Sequence, residues 1–147
     1  MVWSGGDPEV AGRAEAVIDA SVVVKWFSEE EGTQSALKLR GEHIDGVMTL
    51  MAPDLLLYEV ANALRYKPGF NGEKVGRAIG DLMDIQIDLI VPSRELVERS
   101  TALAYEYDVT VYDSCYLALS ELMGVDLYTS DKRFHDNAKA SGRLEYI

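Results

Sequence analysis

Four acidic residues stand where an α/β chain can bring them together: Asp19, Glu59, Asp113 and Asp131. Asp19 closes the apolar run Ala16-Val17-Ile18, and Asp131 lies just beyond the run Val125 to Tyr128. Ligands of an open α/β sheet gather outside the carboxyl ends of its strands, so both acids can reach one edge. Either one alone reads equally well as the cap of the helix that follows it. Glu59 falls at the border of the apolar stripe Leu56, Leu57, Val60 and Leu64 of a predicted helix. Asp113 follows Thr110 at the spacing of a capping box, in a first turn whose dipole favours an acid. Carboxylates that converge repel one another and raise one another's pKa, and a resident cation relieves that repulsion. Hard oxygen donors suit Mg²⁺ or Mn²⁺, which activate water and neutralise charge on a phosphodiester.

The elements that must position these acids follow from periodicity and breakers. Short apolar runs predict strands over Ala16 to Ile18, Val47 to Ala52, Leu89 to Val91 and Val125 to Tyr128, with a last one over Leu144 to Ile147. Helices are predicted over Ser21 to Phe27, Thr33 to Ile44, Asp54 to Tyr66, Gly72 to Ile87, Ser93 to Tyr107, Thr110 to Met123 and Asp131 to Ala140. Pro53, Pro68-Gly69, Pro92 and Gly124 punctuate them. Strand and helix alternate, which predicts an α/β domain with a mainly parallel central sheet covered by helices. Residues 1–14, with Gly5, Gly6, Pro8 and Gly12, read as a flexible extension, and the domain is expected over residues 15–147.

Composition narrows the function. The chain has 147 residues, 48% of them hydrophobic and 27% charged, as in a soluble folded domain. Its 25 acidic and 14 basic residues give a formal charge of −11, which argues against a general basic nucleic-acid surface. Cys115 is the only cysteine, so no intramolecular disulfide can form, and a reducing, cytoplasmic setting is expected. No apolar run approaches the roughly 20 residues that span a bilayer. The sequence has no G-x-G-x-x-G, P-loop or C-x-x-C, and His43 and His135 match no zinc spacing. A phosphoryl-transfer enzyme with an aspartate nucleophile usually carries a second Asp two residues on; here that position is Ser21.

The segments Val17-Ile18-Asp19-Ala20-Ser21, Pro53 to Leu64, Thr110-Val111-Tyr112-Asp113-Ser114 and Leu127 to Phe134 carry a family resemblance in their order and spacing. The chain resembles PIN-domain proteins, and within them the VapC-type toxins of type II toxin–antitoxin systems. The resemblance covers nearly everything after the N-terminal extension. It implies a three-layer α/β/α domain and an Mg²⁺- or Mn²⁺-dependent ribonuclease leaving 5′-phosphate and 3′-hydroxyl ends. It assigns Asp19, Glu59, Asp113 and Asp131 to the metal and the catalysis, with Ser21 and Thr129 or Ser130 as neighbouring hydroxyls. Asn62, one turn after Glu59, is a weaker supporting candidate, and Lys25 or Lys132 a candidate for touching phosphate. A VapB-like antitoxin and a homodimer are the implied partners, with Trp26, Phe27 and Leu37 as possible interface residues. A housekeeping PIN ribonuclease and a non-catalytic PIN-fold interaction module are the alternatives.

Overall fold

The computed structural model describes residues 14–147. Of the expected extension over residues 1–14, residues 1–13 lie outside the described residues, and Ala14 already opens β1 (Ala14–Ile18) and pairs with Met48. In β1, Ala16, Val17 and Ile18 are at most 1% exposed. Successive strand residues point to opposite faces, so this burial requires both faces of the sheet to be covered. The same holds for Leu50, Met51 and Ala52 of β2 (Met48–Pro53). With β3 (Asp88–Ile90), β4 (Asp126–Thr129) and β5 (Leu144–Tyr146) they form one five-stranded sheet of order β3-β2-β1-β4-β5. Every pairing is parallel. Pro53 has no amide hydrogen to extend the ladder; the Asp54 amide instead donates to the Ile90 carbonyl at 3.0 Å.

Seven α-helices flank this sheet among the described residues, giving the three-layer α/β/α architecture. They are α1 (Ala20–Val24), α2 (Thr33–Ile44), α3 (Leu55–Arg65), α4 (Gly72–Asp84), α5 (Arg94–Tyr107), α6 (Val111–Met123) and α7 (Lys132–Ala138). The α3 helix packs on α1 and α4, while α5 lies along α6, which crosses β1, β2 and β4. Of the predicted stripe of α3, Leu56, Val60 and Leu64 are completely buried, and Leu57 packs against the core partly buried. None of the described helices is long and apolar enough to cross a membrane.

Three predicted helices overrun the real C-terminal ends by two residues or more. The first stops at Val24 because the next residues tighten: the Trp26 amide donates to the Val23 carbonyl at 2.9 Å. This turn drives Trp26 into the core, where Nε1 donates to the Ala36 carbonyl at 2.8 Å. Trp26 is therefore interior and not an interface residue, and Phe27 and Leu37 also pack against the core. The α4 helix ends at Asp84, because Gln86 takes φ 59° and redirects the buried Ile87 toward β3. The last ends at Ala138 and passes through a 3₁₀ turn, Lys139–Ser141, to Gly142 at φ 74°.

For the acids, the decisive feature is strand order. The chain builds outward from β1 to β2 and β3, then returns to lay β4 on the other side of β1. The order in which strands are added thus reverses between β1 and β4, where the crevice outside the strand ends opens.

Candidate active site

Asp19 follows the last residue of β1 and caps α1, in extended backbone with φ −99° and ψ 174°. Its Oδ1 accepts from the Ser21 amide at 3.1 Å and from Ser21 Oγ at 2.5 Å. Its Oδ2 accepts from Thr129 Oγ1 at 2.6 Å, across the β1–β4 seam. Thr129 is fully buried at the end of β4, and its Oγ1 also accepts from the Asp131 amide at 3.1 Å. Ser21 Oγ in turn accepts from the Ser130 amide at 2.8 Å. Two hydroxyls thus stitch the two strand ends and fix Asp19 beside the segment that carries Asp131. Asp131 caps α7 through Oδ1, which accepts from the Phe134 amide at 3.0 Å. The capping and site readings of both aspartates therefore coexist, as a carboxylate has two oxygens.

Glu59 and Asp113 arrive from the helices. Glu59 lies mid-α3, half-buried, and its Oε1 accepts from the Tyr116 hydroxyl at 2.6 Å. Tyr116 and Asp113 are three residues apart on α6 and so share a face. The α6 start is fixed by Thr110, whose Oγ1 accepts from the Asp113 amide at 3.0 Å. Half of the expected capping box is present.

One cleft of ≈ 340 Å³ is lined by Asp19, Glu59, Asp113 and Asp131 together with Ser21 and Ser130. All four predicted acids are thus brought to one place, from the ends of two strands and from two helices. A second cleft of ≈ 380 Å³ shares Asp113 and Asp131 and is also lined by Arg133 and Asn137. Burial pushes the Asp19 carboxyl up to about 7; Ser21 and Thr129 oppose the rise, and the Asp113 charge adds to it. Burial, then Asp131 and Glu59, raise Asp113 to about 6. Burial also raises Glu59, with Tyr116 pulling the other way.

Among the described residues, no three His, Cys, Asp or Glu side chains are drawn together tightly enough to grip a metal ion as they stand. The donor set fits a hard divalent cation in chemistry. It is all oxygen, and Glu59 and Asp131 commit one carboxylate oxygen each to Tyr116 and to the α7 cap, keeping a second. The acids also raise one another's protonation, the charge imbalance that a cation removes.

Two supporting candidates fall elsewhere. Asn62 is exposed and lines a neighbouring groove with Ala61 and Arg65, because the cleft-facing positions of α3 are Glu59 and Ala63, one i,i+4 step apart. Glu59 takes its partner from Tyr116 instead. Lys132 points along its own helix to Asp136, with Nζ to Oδ2 at 3.0 Å. Lys25 does line the cleft. Tyr116 and Glu30 were missed from sequence. A tyrosine inside Cys115-Tyr116-Leu117-Ala118 reads as core, and only its three-residue step from Asp113 hints at more.

A parallel α/β/α sandwich with acids gathered at its strand-reversal crevice defines a class of site, and comparison with known proteins supplies the family. The PIN domain profile matches residues 16–140. The chain belongs to the PIN-domain family. It is 31% identical to Ribonuclease VapC3 of Pyrobaculum aerophilum over 129 residues, covering 84% of this chain and 95% of that one. It is 35% identical to Ribonuclease VapC1 of Mycobacterium tuberculosis over 122 residues, 81% of this chain and 87% of that one. The fold matches a chain in a toxin–antitoxin complex from Klebsiella pneumoniae with a TM-score of 0.64, at 19% identity, over 90% of this chain and 99% of that chain.

Proposed function

We propose that this protein is a divalent-metal-dependent ribonuclease of the VapC type, the toxin of a toxin–antitoxin pair, acting in the cytoplasm. The observation that carries the reading is the convergence of Asp19, Glu59, Asp113 and Asp131 on one cleft at the carboxyl edge of the sheet. Its relatives named as VapC ribonucleases, each matched over more than four-fifths of this chain, support the RNA substrate. The four acids would hold Mg²⁺ or Mn²⁺, which when bound supplies charge neutralisation on the phosphate and lowers the pKa of a water. Ser21 and Thr129 hold the Asp19 carboxylate in a fixed orientation, and Tyr116 does the same for Glu59. Preorganised carboxylates cost no reorganisation at the moment of reaction. A carboxylate of the set takes the attacking water's proton.

The restraining partner is a VapB-like antitoxin. A basic segment suits a chain of net charge −11 whose cleft gathers four carboxylates. The protein also self-associates as a homodimer, the commonest symmetric assembly.

The test is cleavage of a labelled RNA with and without added Mn²⁺. Cleavage is expected only with metal, and Asp113→Asn is expected to reduce it at least ~100-fold, the scale of a lost general base or charge stabiliser. Equal metal-dependent cleavage by the variant would overturn the assignment.

A further inference from the structure

The cleft has a second wall, and its chemistry is opposite. Among the described residues that line it, the only cations are Lys25 and Lys67, and Glu30 stands between them. Lys67 Nζ lies 2.8 Å from Glu30 Oε2, and Lys25 Nζ lies 3.5 Å from Glu30 Oε1. Lys25 Nζ also donates to the Glu31 carbonyl, and Gly32 follows at φ 85°. A Cβ on Gly32 would stand 3.5 Å from that ammonium. The left-handed turn therefore folds the 28–32 loop around Lys25. Thr33 holds the loop from the other side, its Oγ1 accepting from the Glu30 amide at 2.9 Å.

The placement is built by helix geometry as well. Glu59, Ala63 and Lys67 follow at steps of four along α3 and its extension, so the lysine continues the row that begins with the acid. An ammonium has three donors. Lys67 donates one to Glu30, and Lys25 donates one to the Glu31 carbonyl and holds Glu30 as an ion pair, so each keeps a donor to spare. Two ammonium groups against one carboxylate leave this wall with a net charge of +1, in a protein whose overall charge is −11.

We propose that Lys25 and Lys67, braced by Glu30, form a subsite for a backbone phosphate of the RNA neighbouring the one that is cut. This rests on the ribonuclease reading and adds how an acidic enzyme holds a polyanion. The acids and their metal face the scissile phosphate, and the two lysines take the next one along the strand. Glu30 is a positioning residue: it touches no substrate and keeps the two ammonium groups apart and aimed.

The test separates binding from cleavage. A fluorescein-labelled single-stranded RNA is titrated by anisotropy with Asp19→Asn protein and with Asp19→Asn/Lys67→Ala, at several KCl concentrations. Lys67 is partly exposed beyond the helix end, so its loss leaves the fold intact, which circular dichroism verifies. The expected result is a Kd about tenfold weaker at low salt and a salt slope shallower by about 0.7, the signature of one lost phosphate contact on a single strand. Lys67→Arg retains most affinity, and Glu30→Gln falls between. Unchanged affinity and slope in the Lys67→Ala protein, or no RNA binding by either protein, would overturn the subsite. Cleavage by the otherwise intact chain is run in parallel. Lysine-dependent binding without cleavage defeats the ribonuclease reading and leaves the subsite standing. Normal cleavage with an unchanged KM in Lys67→Ala does the reverse.

Discussion

Asp19 carries an unusual load for a residue that is only 5% exposed. Burial raises its carboxyl from 3.8 to about 7, so the folded chain binds a proton that the unfolded chain releases. The sign follows: its contribution to stability is complete below pH 3.8 and drains away as pH climbs through 7. At about 1.36 kcal/mol per unit, metal-free protein loses about 2–3 kcal/mol from this group between pH 5 and pH 8. Asp113, raised to about 6, drifts in the same direction. Urea unfolding in the presence of a chelator should therefore show a steeper loss for the native chain than for Asp19→Asn over that interval. Equal losses would place the pH dependence elsewhere. That Asp19 stands at the carboxyl edge of the sheet was legible from its position after an apolar run. Its depth was not, because burial here depends on Thr129, 110 residues away. Lys132 shows the converse: adjacency to Asp131 made it a candidate, but the nearest acid on its own helix claims it.

The helices contribute through their faces. The stripe Leu56, Val60 and Leu64 could be read directly, and so could the start of α6 at Thr110. Which side of α3 met the cleft could not, since Asn62 at i+3 and Ala63 at i+4 are both neighbours of Glu59 on a bare helix. Packing against α6 decides between them, through the Tyr116 hydroxyl on Glu59. Tyr116→Phe keeps the ring in the core and removes only that donor. The variant should fold normally, yet bind Mn²⁺ several-fold more weakly, as outer hydrogen-bonding partners typically govern metal affinity by about 10–100-fold. Isothermal titration with Mn²⁺ reads this directly, and an unchanged affinity would reduce Tyr116 to a packing residue. Helix ends were the least legible. Ser21 to Phe27 holds no glycine or proline to mark an earlier stop, but the demand of Trp26 for a buried partner at Ala36 shortens α1 to five residues.

At the scale of the whole molecule, charge and topology set the behaviour. A chain of −11 that gathers acids in one crevice is under self-repulsion, and an ion bound only by the folded state relieves it. Mn²⁺ at a hundredfold over its Kd should stabilise by about 2.7 kcal/mol, which for a domain of this size is about 5–10 °C in Tm. Asp113→Asn should show less than half the shift by thermal melting, and an equal shift would mean that the ion acts at another place. The alternation of strands and helices made the parallel sheet legible, whereas the strand order was not, because no local signal states that β4 returns to the flank of β1. That return has a consequence in time. Asp19 leaves the ribosome well before Thr129, and 110 residues at about 5–20 residues per second amount to roughly 5–22 seconds. During that interval β1 has at first no neighbour and then only β2, until β4 is made. A nascent chain therefore carries an unfinished crevice past the translation machinery that makes it. The crevice is completed only near the end of the chain's own synthesis, when β4 docks on the free flank of β1.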